Sequence, residues 1–504
     1  MALSQSLLLA LGILACPFSS AAAIRPSSED ARGNANRIFN AIHSAMRQWG
    51  SSIHHNGMSF FPATIPVGVL LYHGGHQADA VTGMEWLAFE IEHAEMFAHP
   101  IPKQPPDDPQ HLQRALRRQI QDQSPLVRQS DDEDSDSPFL DGYLHTYRVT
   151  RPQRMLYIDG MSAAKSMLGT LDSQDELLRN HTGKGGFDEW PRAEALCDLA
   201  QAWRIDGIIR MEAGFEVIKC NFSDGLALVS ATQRPWRGAD WADLALDHME
   251  YMRAVSQRYG DITASRVTVD YSRMVSALFY PVNLTNPEAR SPELPRMVSV
   301  PWEALAVIKN DVAEAITASW QKAYPVATNW QGVTDMVVSR YADRLRFIAE
   351  RAALEDVRAD VNGLLDTFID YADAEPDMAA ATRRCTQHYL DSVHSETWQA
   401  EVIRAGLEEV TSRICTDLFA VRAIVSENDE EVRGDRLVRA RTVVWDLMVW
   451  LEWAEWRTCG TCESDQVCFV AIWPYGDVED HFSPSCLNKT QMQGRHGYWG
   501  FGRK

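Results

Sequence analysis

After the first two dozen positions the sequence has no run of about 18 consecutive apolar residues, so it offers no candidate transmembrane helix. Basic residues are scarce: 48 Lys and Arg against 69 Asp and Glu give a formal net charge of −21. That balance argues against a dedicated nucleic-acid binder, because neutralising phosphates requires a basic face. Gly-x-Ser-x-Gly, His-Glu-x-x-His and Gly-x-x-x-x-Gly-Lys-Ser are all missing, so the common hydrolase, metalloprotease and nucleotide triphosphatase readings have no support. No repeat of fixed period occurs, and the closing residues HGYWGFGRK lack the apolar tail of a lipid-anchor signal.

What is present points to export. Residues 1–23 pass from a short polar start through an apolar stretch (Leu7 to Phe18) to Ala21, Ala22 and Ala23, which reads as a signal peptide cleaved before Ile24. Nine cysteines occur; removing Cys16 with the signal leaves an even eight, which suits four disulfides in a secreted protein. Spacing pairs Cys197 with Cys220 and Cys385 with Cys415, and puts two further bridges among Cys459, Cys462, Cys468 and Cys486. Sequons at Asn180, Asn221, Asn283 and Asn488 fit glycosylation on exposed loops.

A chain of 504 residues exceeds what one hydrophobic core usually organises, so two or three domains are expected. Apolar positions from Asn36 to Ser59 predict an amphipathic helix ended by Gly50. Strand patterns then alternate with helical ones up to residue 235, interrupted by the acidic loop QSDDEDSDSP near 130–138. Residues 236–300 read as a connecting region, 301–458 as a helical bundle in which Trp445, Trp450, Trp453 and Trp456 face the core, and 459–504 as a disulfide-stapled tail. The fold class is α+β: a mixed N-terminal domain over 24–235 followed by an all-α region.

Candidate chemistry concentrates in the mixed domain. The segment VGVLLYHGGHQ predicts a strand ending at Tyr72, His73 and Gly74, and GMEWLAFEIEHAEMFA predicts a strand running into a helix. Farther on lie YLHTYRVTRPQRMLYIDG and WRIDGIIRMEAGFEVIKCNFSDGLALVS. In this order, over roughly residues 60–230, the segments resemble the ADP-ribosyltransferase superfamily, in particular its histidine, aromatic and glutamate branch. The resemblance implies an ADP-ribosyltransferase-like domain that takes NAD as substrate and cleaves its nicotinamide glycosidic bond, passing ADP-ribose to an acceptor macromolecule or to water. It implies that Glu216 faces the positive charge developing on the ribose, that Trp86, in place of the usual tyrosine, stacks on nicotinamide, that Gly74 offers its backbone to the carboxamide, and that His73 donates to ribose. Glu212 lies four residues before Glu216, so the Glu-x-Glu pattern of the arginine-specific branch is absent.

FEIEHAEMFA, LYIDGMSAAKSMLGTLDSQD and GIIRMEAGFEVIKCNFSDG also resemble a family of secreted fungal proteins known only as uncharacterised, which supports a fungal secreted origin and implies no activity. No metal is expected. The competing readings are a non-catalytic secreted interaction protein with a degenerate cleft, and a metal-dependent hydrolase using His73, His76 and Glu90 or Glu92.

Overall fold

Short helices open the chain: α1 (Ser28–Gly33), α2 (Ala35–Ser44) and α3 (Gln48–Ile53). The computed structural model describes residues 24–500 except 103–138, 181–188, 236–248, 250, 257–261, 263–264, 288–292, 322–327, 373, 395 and 428–432. The signal segment and the acidic loop lie outside the described residues. The single helix expected from Asn36 onward is instead broken at Met46, whose φ of 56° starts a new direction. Gly50 does not end it: it sits inside α3, where a Cβ would lie 2.3 Å from Ser44 Oγ, so its role is close packing.

Apolar and β-branched runs then build β1 (Ser59–Ile65), β2 (Leu70–Gly75) and β3 (Glu85–Ala88), followed by α4 (Ile91–Glu95). A minor two-stranded pair, β4 (Ile101–Pro102) and β5 (Phe139–Leu140), precedes β6 (Gly142–Val149) and β7 (Gln153–Ile158). After α5 (Glu189–Trp203) come β8 (Gly207–Met211), β9 (Phe215–Lys219) and β10 (Leu226–Arg234). The strands form a sheet in the order β10-β6-β2-β3-β9-β8-β7-β1-β11, and β12 also pairs with β1. The last two, β11 (Thr268–Val269) and β12 (Val275–Ser276), come from the connecting region. All pairs in it are antiparallel except β7 with β8, whose crossover carries α5. Every residue of β8 and β9 is buried, as in strands covered on both faces, whereas β10 closes the order with Leu228 and Val229 exposed.

The rest is helical: α6 (Trp302–Gln321), α7 (Trp330–Glu350), α8 (Leu354–Leu365), α9 (Met378–Gln387), α10 (Trp398–Ser426) and α11 (Arg433–Leu451). In α10 the buried Ile403, Leu407, Val410, Ile414, Leu418 and Val421 recur every three or four residues and form its inward stripe. The first helices belong to this packing: α2 lies against α10 and α7, Asn40 donates to the Leu451 carbonyl at 2.9 Å, and Arg47 bonds both Asp335 oxygens at 2.6 and 2.8 Å. One continuous apolar core therefore runs from Ala31 to Trp499.

One of the four expected core tryptophans departs: Trp445 is 54 % exposed, whereas Trp453 is buried and Trp450 and Trp456 pack against the core. Because α11 stops at Leu451, Trp453 and Trp456 lie beyond it, stacked on each other at 5.1 Å. The bridges are Cys197–Cys220, Cys385–Cys415, Cys459–Cys468 and Cys462–Cys486. Four disulfides, with no helix among the described residues long and apolar enough to cross a membrane, are compatible with a secreted protein. The tail, with the hairpin β13 (Gln466–Phe469) and β14 (Ser485–Asn488), reaches the sheet side of the molecule as well as the bundle. There Tyr498 bonds His55 at 2.8 Å, and Trp473 lies under the Lys165 ammonium at 4.9 Å.

Candidate functional site

The strands carrying His73, Trp86 and Glu216 are consecutive neighbours in the sheet, β2-β3-β9. His73, Gly74, Trp86 and Glu216 line one cleft of about 380 Å³, together with His93 and Phe97 at the α4 side. Cross-strand register orders the side chains. Arg210 pairs with Glu216, Glu216 with Ala88 and Ala88 with Tyr72, so these four occupy one row on one face. Strand alternation adds Trp86 and Gly74 to that face and sends the His73 ring to the other, where it meets His145 at 5.7 Å and Phe222 at 5.6 Å. Gly74 is required where α4 crosses: a Cβ there would lie 2.1 Å from the Ala94 carbonyl oxygen.

Only Tyr72 and Ala88 are in register between β2 and β3. Where the strands part, His73 Nδ1 bonds the Trp86 carbonyl at 2.8 Å, a side chain standing in for a ladder amide. Burial holds the His73 pKa down to about 4, against the opposing effect of that bond, so the ring is neutral near pH 7. A neutral imidazole facing a carbonyl must carry its proton on Nδ1, which leaves Nε2 bare. The only donor of the His73 ring is thus engaged with the Trp86 carbonyl, and the ring lies on the face opposite Glu216, so the donating role expected of it is not met by this geometry.

The Glu216 carboxylate is 3 % exposed and receives Arg210 Nε at 2.6 Å. Burial raises its pKa above the ordinary carboxylate range; Arg210 opposes the rise and Glu212 adds to it. Arg210 also meets Glu189 and receives support from Gln174 Oε1 at 2.9 Å. Arg192 bridges outward, to Glu189 at 2.7 Å and with two bonds to Asp175 at 2.9 and 3.0 Å, and Arg179 reaches Asp175 at 2.8 Å. Lys165 stands 3.6 Å from Glu212 and 3.9 Å from Glu189, while His93 Nε2 contacts Glu212 at 3.2 Å. The network thus sets Lys165, Arg179, Arg192 and Arg210 against Asp175, Glu189, Glu212 and Glu216, four charges of each sign. Burial alone would raise Glu189, but Arg210, Lys165 and Arg192 outweigh it and hold the carboxyl near 2. Trp86 meets Trp190 of α5 edge to face at 5.0 Å, which fixes the indole beside the network.

The metal-ligating set read from the sequence does not assemble: His76 Nδ1 bonds the Asp141 carbonyl at 3.1 Å and Glu90 pairs with Arg266 at 3.1 Å, both away from the His73 ring contacts. A different set converges, with ligand atoms of His93, Glu212 and Glu216 within 4.8 Å of one another. Arg210 and Lys165 already supply positive charge there, so we read it as part of the ion network. Sequence reasoning missed Arg210, Glu189, Arg192 and Lys165. Their one legible signal was the charge in GIIRM, a strand otherwise fit for full burial.

Comparison with known proteins places this region without giving it an activity. Residues 28–237 match the family model described as the YPL277C N-terminal domain, which spans every residue of the cleft and its ion network. Two proteins of Saccharomyces cerevisiae are similar. The uncharacterized protein YOR389W is 35 % identical over 212 residues, 39 % of this chain and 33 % of that protein. The uncharacterized protein YPL277C is 35 % identical over 209 residues, 39 % of this chain and 42 % of that protein. The chain thus spans less than half the length of either relative. No solved structure matches it. These matches support an uncharacterised fungal family for the N-terminal region.

Proposed function

We propose that the cleft at the parting of β2 and β3 binds the nicotinamide end of NAD and breaks its glycosidic bond, in a secreted ADP-ribosyltransferase or NAD glycohydrolase. The observation that carries this reading is that Trp86 and Glu216, drawn from separate segments, share one face of adjacent strands and line one cleft with Gly74, while the His73 ring points to the opposite face. In the reaction the bond from ribose C1′ to the pyridinium nitrogen breaks, and its electron pair neutralises the departing ring. An acceptor nucleophile or water then adds to C1′ and gives up a proton. Glu216 lies on the face where the ribose cation would develop, with Arg210 fixing its carboxylate, and Trp86 provides the flat surface for the ring. Gly74 lets α4 close over the strand beside this face, and His73 acts from the opposite face by holding the Trp86 carbonyl at 2.8 Å.

A second reading is favoured by the same ion pair. A carboxylate already bonded to Arg210 inside a charge-balanced network can be purely structural, and the cleft then serves a non-catalytic secreted interaction protein. Nicotinamide release from NAD by the purified protein separates the two. We expect release that falls at least ~100-fold in Glu216→Gln with the fold intact. Absence of both release and NAD binding in the unaltered protein would leave the second reading standing.

A further inference from the structure

A larger cleft, of about 650 Å³ and open to solvent, lies elsewhere, where α2, the loop after α3, the connecting region and the end of the bundle meet. Its charged lining differs in kind from the network beneath Glu216. Arg37 and Arg457 supply positive charge and Glu293 and Glu452 negative charge; among the described residues none of the four makes an ion-pair contact within 4 Å, although the arginines act on Glu452 through space and Asn36 donates to Glu452 Oε2 at 3.4 Å. Arg37 donates to the Glu293 carbonyl at 3.1 Å, and Arg457 Nη1 approaches His481 Nε2 at 3.4 Å. Glu293 Oε1 is buried without a hydrogen-bond partner, as is His54 Nε2. Glu452 lines the cleft from the left-handed turn that ends α11, with a φ of 52° and its amide bonded to the Met448 carbonyl at 3.1 Å. Charges of both signs held apart around one space leave room for a ligand between them, and a buried carboxylate oxygen without a donor is costly unless something completes it.

The other wall is apolar, formed by Ile53, Met58, Leu278 and Leu294. We propose that this cleft binds a small zwitterion with an apolar side chain, of the free α-amino acid class. Its carboxylate lies between Arg37 and Arg457, its ammonium donates to Glu293 and Glu452, and its side chain rests on the apolar wall. A guanidinium pair suits a carboxylate because each fork presents parallel donors. The bare Glu293 oxygen requires a donor, which an ammonium supplies. A ligand carrying one charge alone would leave the opposite pair unanswered, so recognition requires both.

The proposal stands apart from the NAD reading and is tested without it. The full chain is titrated calorimetrically with L-leucine, N-acetyl-L-leucine, which lacks the ammonium, and L-leucine methyl ester, which lacks the carboxylate. We expect saturable leucine binding and at least ten-fold weaker binding of each blocked analogue. In Arg457→Met, leucine binding weakens at least ten-fold while the circular dichroism spectrum is unchanged. Failure of leucine to bind saturably, or equal binding of the blocked analogues, would overturn the proposal. The analogue series uses the unaltered protein, so it decides the matter even if the variant does not fold.

Discussion

The two clefts treat charge in opposite ways. Beneath Glu216, four cations and four carboxylates touch one another at no more than 3.9 Å in a nearly dry interior, and each group fixes its neighbour. In the larger cleft the arginines and glutamates face a common space without touching. Burial explains the difference. Arg210 and Arg192 are 0 % and 1 % exposed and fold only when paired, whereas Arg37, Glu452 and Arg457 retain partial access to water that stands in for partners. A paired interior specifies one geometry; an unpaired cleft keeps binding capacity in reserve.

This contrast can be broken experimentally. The largest effect should follow Arg210→Met, which leaves Glu189 and Glu216 buried without their shared cation: we expect a loss of about 3–5 kcal/mol in urea unfolding. A loss below about 1 kcal/mol would show that the network does not depend on its central guanidinium. Acidification should come next. Burial holds His55 near pKa 3, and burial with the Arg47 charge does the same for His43, against about 6.5 when unfolded. Between those values the unfolded chain binds protons that the native protein refuses. Stability from these groups is therefore complete above pH 6.5 and declines as pH falls toward 3, by about 1.4 kcal/mol per pH unit for each. Urea midpoints at pH 7.5, 6.5 and 5.5, a range over which the two groups together lose about 3 kcal/mol, measure this slope, and His55→Gln should make it shallower. The smallest effect should be Arg457→Met, within about 1 kcal/mol by thermal melting, because no ion pair is lost. A drop as large as that of Arg210→Met would erase the distinction between the clefts.

Much of the fold was legible because its signals are local. Strand alternation in VGVLLYHGG and the apolar run GIIRM each state their own conformation, and cysteine spacing singled out the Cys197–Cys220 and Cys385–Cys415 pairs. Gly50 misled because glycine permits both helix termination and close approach, and only the distant position of Ser44 decides between them. The candidate site was legible as residue types in order, but not as directions. That His73 points to the face opposite Glu216 follows from register across three strands separated by up to 140 residues in the chain, and that its ring donor is engaged follows from a carbonyl thirteen residues away. The larger cleft left no trace in the sequence, since its lining runs from Arg37 to Arg457.

The hydrogen bond from Asn36 to the Trp450 carbonyl spans 414 residues. A ribosome adding about 5–20 residues per second needs about 20 to 80 seconds to bring the second partner into existence. Throughout that interval the apolar faces of α1 and α2, among the first segments made, lack the surface that finally covers them. Their exposure is thus a matter of timing, and a protein whose earliest helices wait for its latest ones places its greatest demand on chaperones at the start of its synthesis.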